Sequence, residues 1–398
     1  MKRSILIFGA GINQITLIQA AQKLGLISVV LDPNPDSPGK ELADFYYNIS
    51  GKDYVTTREI ALKHKVCGLV TTQMEKPMRL MAKLAQELDL NFHSPDVVER
   101  SLDKWLMKQT FLEHHVPCAI GKVFKADQRI NEDNLKEFKF PLILKPKDGT
   151  SSQGVFRIER FSEIERYIKI TSQFSRNGEI LIEEFLEGPE YSIETITFRE
   201  KTTVVQYTEK MITCFPHTVE MGHLQPANLG RVNRNKIDKV VKSAIKAIGI
   251  DNSAAHTEII LTEKGPKIVE IGARGGGDFI SSYLTFHSCG VNMDMASIQV
   301  VLGEKPDLTT SFNKYSYIKY LELPACKKVI SIGNWESVSS GVGHVFAHLN
   351  IKEGDIIPEI TESSKRPGFV IMEGHSREEV ISRAEKSLNA LKAAIKLK

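Results

Sequence analysis

The sequence predicts a chain that is α/β at its start and α+β afterwards, with a parallel, doubly wound sheet giving way to antiparallel hairpins. Three observations predict it. The apolar strand Ser4–Phe8, a helical face of Leu17, Ala20, Ala21 and Leu24, and a strand over 28–31 make a βαβ unit with Gly9-Ala10-Gly11 at its first strand end. Beyond Pro117 the pattern changes to alternating strands separated by Gly- and Pro-containing turns. Residues 254–278, AAHTEIILTEKGPKIVEIGARGGGD, read as a β-hairpin with a five-residue loop over 262–266.

The elements follow in order. Gly25 stops the first helix, and strand 28–31 ends at Asp32. The dinucleotide pattern G-x-G-x-x-G fails because Gln14 stands at its third glycine and Pro33-Asn34-Pro35 follows Asp32, which argues against a nicotinamide or flavin cofactor. A third strand, 68–72, runs into Gln73-Met74-Glu75, and Pro77 opens a helix with Met81, Leu84, Ala85 and Leu88 inward. Glu75 sits where open α/β sheets bind ligands, beyond a strand's carboxyl end, or it simply favours a helix N-terminus. Ser94-Pro95 starts another helix, and 103–115 carries Lys104 before Val116-Pro117 breaks the pattern.

A buried strand, 140–144, ends in Lys145-Pro146. The run 147–154, which holds Ser151, Ser152 and Gly154, joins it to a strand at 155–158. A P-loop passes from strand to helix, whereas this loop passes from strand to strand. Such a hairpin can fold over phosphates as a lid, or be an ordinary turn. Strand 179–186 (EILIEEFL), the Gly188-Pro189 turn, strand 191–198 and strand 202–207 predict one small mixed sheet over 140–210, with a helix at 162–172. Residues 211–231 read as irregular, with His217 and His223 as ordinary polar residues or ligands. A helix with Ile237, Val240, Val241, Ala244 and Ile248 inward ends at Gly249. After the hairpin come strands at 315–321 and 345–350, and a last helix whose Ser376 and Glu379 fit a capping box and whose apolar face suits the strand 369–372.

The hairpin carries the chemistry. With Leu261 facing Lys267, Glu258 faces Glu270, and two carboxylates about 4.5–5.5 Å apart at Cα repel unless something lies between them. A divalent cation resolves the conflict, and Mg2+ is commonly held by one or two carboxylates plus phosphates. Arg274 then opens into Gly275-Gly276-Gly277, a bare backbone that a ligand can approach. The bland alternative is a solvated hairpin face followed by a loop.

Bulk properties set limits. A chain of 398 residues predicts two or three domains, and a net charge of +3 with 25% charged and 41% hydrophobic residues argues against nucleic acid. Five scattered cysteines without a C-x-x-C pair predict a reducing compartment, with neither a disulfide framework nor a zinc site. The first strand is too short for a signal segment or a membrane span, so a cytoplasmic location is expected.

Taken in order, Lys104, Lys145, the glycine hairpin, EEFL and the Glu258/Glu270 pair resemble the ATP-grasp superfamily of carboxylate–amine ligases, in its biotin-carboxylase-like branch. The chain is most similar to the L-amino-acid ligases, whose magnesium and substrate motif reads much like Glu270-Ile-Gly-Ala-Arg274-Gly-Gly-Gly-Asp278, and the likeness covers nearly all 398 residues.

The resemblance implies an ATP-grasp fold, with a Rossmann-like pre-ATP-grasp domain at 1–102, an ATP-grasp domain at 103–302 with a lid at about 139–187, and a C-terminal α+β subdomain at 303–398. It also implies ATP and Mg2+, with Mn2+ as an alternative ion. Lys104 and Lys145 would meet the phosphates, Lys145 also lying near the adenine, with Ser151, Ser152 and Gly154 folding over them. Glu183, Glu184, Phe185 and Leu186 would form the hinge strand, Glu190 would take the ribose and Lys210 the terminal phosphates. Glu258 and Glu270 would hold Mg2+, and Arg274 would stabilise an acyl phosphate. Glu75, His223, Gly276, Gly277 and Asp278 would line the substrate pockets. One departure is Gly272, where many relatives carry an Asn ligand.

The activity so implied is amide formation between a small carboxylate and an amine, chiefly amino acids, with release of ADP and phosphate, in a homodimer. Three rivals stand beside it. A purine-type carboxylase shares the opening Gly9-Ala10-Gly11 and Leu31-Asp32-Pro33, a nicotinamide-dependent oxidoreductase would use the βαβ unit, and a nucleotide sensor would not catalyse at all.

Overall fold

The computed structural model describes residues 2–150, 152–213, 217–335 and 341–398, so Ser151 lies outside the described residues. Its first sheet is parallel, in the order Phe45–Tyr47, Ile27–Leu31, Ser4–Phe8, Val66–Val70. The two inner strands are almost wholly apolar and buried, as a sheet covered on both faces requires. The three-residue edge strand Phe45–Tyr47 was not predicted, and the strand expected at 68–72 lies two residues earlier.

The second sheet has eight strands in the order Gly265–Gly272, Ser253–Thr262, Glu190–Phe198, Lys201–Ile212, Glu220–Gln225, Tyr315–Tyr320, Gly368–Gly374, His344–Leu349, and every pair is antiparallel. A third, also antiparallel, joins Gly121–Lys125, Glu179–Glu184, Leu142–Pro146 and Phe156–Ile158, with helix Ile164–Thr171 packed on it through Ile164 and Ile168. The single mixed sheet expected over 140–210 is therefore two antiparallel sheets. Gly188, at φ +150°, marks the break: a Cβ there would stand 2.3 Å from the Leu261 carbonyl oxygen, so only glycine lets the chain pass from one sheet to the other.

A second correction concerns 211–231. That stretch holds the strand Glu220–Gln225, EMGHLQ, which lacks β-branched residues and so gave no strand signal.

The hairpin closes differently from expectation and still pairs the same glutamates. Thr262 faces Gly265, so the turn has two free residues, Glu263 and Lys264, in place of a five-residue loop. Leu261 accordingly faces Pro266, not Lys267. A bulge between the Glu258 and Ile259 pairs then restores the register, and Glu258 faces Glu270. Helix Arg231–Ile248 covers one face of this hairpin, burying Ile237, Val241, Ala244 and Ile248 against Ile259, Ile268 and Ile271. Each of the Ile and Val side chains contributes roughly 1.5–3 kcal/mol by leaving water.

The last helix, Arg377–Ala394, packs Val380, Ala384, Leu388 and Leu391 against the core beside Gly368–Gly374. Ser376 accepts the Glu379 N–H at 3.1 Å, and the Glu379 carboxylate accepts in turn from the backbone of His375.

Candidate active site

The face of the eight-stranded sheet away from helix Arg231–Ile248 carries its charged residues in register. Glu270 and Glu258 form one cross-strand pair, with Ser192 next across; Lys210 faces His223 two strands further on. The carboxylates do not lie bare. Lys210 Nζ is 3.0 Å from Glu258, 3.3 Å from Glu190 and 3.5 Å from Glu220, and Lys104 Nζ is 2.9 Å from Glu270.

Burial alone would raise the Glu258 carboxyl, but Lys210 and His256 outweigh it and hold the group well below the ordinary carboxylate value. Burial would likewise lower Lys210, yet Glu258, Glu190 and Glu220 raise it well above its usual value. For Lys104, burial is outweighed by Glu270 and Glu75, and the ammonium is raised.

Arg274 reaches out of the glycine segment to form an ion pair with Glu75, beyond the carboxyl end of the parallel sheet. Glu75, which burial would raise, is held low by Arg274 and Lys104. The two sheets thus meet at the point where Arg274 stands.

Glu183 is 4% exposed and lies between Lys108, at 2.8 Å, and Lys145, at 2.5 Å. Burial would raise it, and the two lysines pull it below its ordinary value. Strand Glu179–Glu184 stops short of Phe185 and Leu186. Glu184 donates its N–H to Ile120 O at 2.9 Å, its carboxylate takes Lys267, and the Phe185 ring lies 4.4 Å from the Arg157 guanidinium.

The glycine hairpin is folded down on this face. Lys104 donates to Gly149 O at 2.9 Å, Thr171 to Gly154 O at 2.8 Å, and Gln153 to Glu362 at 2.8 Å, while Ser152 lies 3.5 Å from Glu220. Asp278 spends both oxygens on Arg366, at 2.7 Å each, and lies 3.1 Å from His223 Nε2. It is therefore clamped, and Arg366 in turn covers the Tyr320 ring at 3.5 Å. Gly276 donates its N–H to Glu194 at 3.0 Å, whereas Gly277 has open space where a side chain would begin. His217 stands apart, beside Phe156 of the third sheet.

Sequence reasoning missed Lys108, Glu194, Glu220, His256 and Arg366. Glu194 and His256 did leave a signal, since each is a polar residue at a buried strand position, paired across neighbouring strands. Arg366 left none, because its partner Asp278 is 88 residues away.

This architecture is the ATP-grasp fold. Residues 138–282 match the ATP-grasp domain family, and the chain superposes over its full length on the crystal structure of an L-amino acid ligase from Bacillus licheniformis, with TM-score 0.83, 22% identity and 98% of that chain covered. The C-terminal residues narrow the likeness: 324–396 match the L-amino acid ligase C-terminal domain 2.

Curated relatives include carnosine synthase 1 of Homo sapiens, 21% identical over 77% of this chain and 40% of that protein. Another is the alanine–anticapsin ligase of Bacillus subtilis strain 168, 27% identical over 52% of this chain and 48% of that protein. The chain thus spans less than half the length of either. Solved proteins of the same fold include ADP and MgADP complexes. Among the described residues no helix is long and apolar enough to cross a membrane.

Proposed function

We propose that the protein is an ATP-dependent ligase that joins a small carboxylate, chiefly an amino acid, to an amine through an acyl phosphate, releasing ADP and phosphate. The observation that carries this reading is the Glu258/Glu270 pair, flanked by Lys210 and Lys104 and facing Arg274 on one surface.

The donor set fits Mg2+. Glu258 and Glu270 offer hard carboxylate oxygens facing each other across adjoining strands, the kind of pair that holds Mg2+ together with phosphates and water. Bound there by Glu258 and Glu270, the ion would neutralise charge on the transferring phosphoryl group.

The chain's own groups supply the rest. Lys104 and Lys210, released from the glutamates, would face phosphate oxygens. Glu190 would accept from ribose hydroxyls, and the Glu184 carbonyl and Leu186 N–H would read an adenine edge. Lys145, braced by Glu183, would add positive charge beside the nucleotide. Arg274 would leave Glu75 to bind the acyl phosphate, freeing that carboxylate for a substrate ammonium. The hairpin over 147–154, closed down, would exclude water from an intermediate that water destroys. A homodimer in the cytoplasm completes the reading, as family likeness suggests.

One rival meets an obstacle. The Gly9-Ala10-Gly11 turn, which an oxidoreductase would use, has its Ala10 N–H already accepted by Asp32 at 2.7 Å. Asp32 also accepts from Asn34, so its carboxylate is not free for a ribose.

Incubation with MgATP, amino-acid mixtures and hydroxylamine should release phosphate and trap a hydroxamate, and mass spectrometry without hydroxylamine should find a dehydrative condensation product. If no carboxylate provokes phosphate release, the reading is wrong.

A further inference from the structure

Next to the two glutamates lies a second row of polar groups that the chemistry above does not use. His256 is paired across the sheet with Glu194 on one side and with Gly272, which has no side chain, on the other. Its Nδ1 meets Glu194 Oε1, and its Nε2 lies 3.4 Å from Glu258 Oε1. Glu194 has no exposure to solvent, and its second oxygen accepts the Gly276 N–H at 3.0 Å.

A carboxylate buried so completely must be satisfied inside the protein, and here one imidazole and one backbone amide do it. The fit is close: a Cβ on Gly276 would stand 2.5 Å from both Glu194 Oε1 and His256 Nδ1. Both ring nitrogens face carboxylate oxygens, so each carries a hydrogen: Nδ1 donates to Glu194 and Nε2 to Glu258. The other Glu258 oxygen meets Lys210 at 3.0 Å.

We propose that His256, oriented by Glu194, is a positioning residue for the magnesium–nucleotide site: it fixes the rotamer of Glu258 and ties that carboxylate to the glycine segment after Arg274. Without it Glu258 would be held from the Lys210 side alone, and Glu194, which accepts the Gly276 N–H, would lose its other partner. The inference rests on the reading of Glu258 as a magnesium carboxylate. Partners that orient a metal ligand from behind typically contribute ten- to hundredfold to metal affinity.

Calorimetric titration of ADP into the full chain at graded Mg2+ concentrations tests it. His256→Ala should raise the Mg2+ concentration for half-developed ADP binding by about ten- to hundredfold. ADP binding in EDTA should stay the same. His256→Gln, whose amide reaches toward the place of Nε2, should recover part of the shift. Should His256→Ala fail to fold, Glu194→Gln decides, with a smaller shift in the same direction.

An unchanged Mg2+ dependence in the folded variants would overturn the inference, and so would an equal loss of binding in EDTA. A wild-type chain whose ADP binding ignores Mg2+ would overturn the magnesium reading itself, and that outcome is visible before any variant is compared.

Discussion

Arg274 and Glu75 stand 199 positions apart in the chain and form an ion pair that closes the parallel sheet onto the glycine segment. The guanidinium that the proposed reaction needs is thus already inside the protein, raised further above its usual value because Glu75 outweighs the effect of burial. In the proposed reaction a substrate acid would have to take Arg274 away from Glu75.

Removing the guanidinium should separate chemistry from nucleotide binding. In Arg274→Ala, carboxylate-dependent phosphate release should fall by about 10²–10³, the loss typical of one charge-stabilising donor. ADP affinity should change little, since the hydrogen bonds of Arg274 go to Glu75 and Gly275 O and not to the groups assigned to the nucleotide. Calorimetry alongside a phosphate assay checks both halves.

Lys210 is nearly fully buried among Glu190, Glu220 and Glu258. Its replacement by Met leaves three carboxylates facing one another, at a cost of about 3 kcal/mol. In EDTA the variant should melt well below the wild type, and millimolar Mg2+ should raise its Tm by more than it raises that of the wild type. Equal Mg2+ effects on the two proteins would count against a cation site at Glu258.

Glu183 gives a pH signature. Its folded carboxyl lies below the ordinary 4.5, so it contributes stability above that pH and loses it as pH falls toward the folded value. Glu183→Gln lacks this contribution and leaves Lys108 and Lys145 without their carboxylate, costing about 3–5 kcal/mol at neutral pH. The gap in unfolding free energy between wild type and variant should narrow as pH drops below about 4.5, as urea titrations at several pH values would read out.

The two neighbouring glycines should behave oppositely. A methyl on Gly276 meets Glu194 and His256 at 2.5 Å, whereas one on Gly277 meets nothing within 4 Å. Gly276→Ala is expected to cost about 1–3 kcal/mol and Gly277→Ala very little, by thermal melting.

How much of this was legible depended on locality. The βαβ opening, the helix ending at Gly249 and the Glu258/Glu270 pairing came from short-range patterns of period 3.6 or 2. The pairing survived two compensating misreadings: the turn is shorter than expected and the bulge after Glu258 makes up the difference. Strand Glu220–Gln225 escaped notice because its pairing, not its own composition, makes it a strand. The clamp on Asp278 escaped for a similar reason, since Arg366 reaches it only once the Tyr315–Tyr320 and Gly368–Gly374 strands have joined the sheet. Contacts between distant segments write no periodicity into either one.

The place of Glu220–Gln225 in the middle of the large sheet governs how the chain emerges during synthesis. One neighbour, Lys201–Ile212, is already made when this strand leaves the ribosome, but the other, Tyr315–Tyr320, follows some 90 residues later. At roughly 5–20 residues per second, its outer row of amide and carbonyl groups waits about 5–20 seconds for a partner. Over that interval the nascent protein displays an open sheet edge to whatever is nearby, and a chain cut off before Tyr315 would display it permanently.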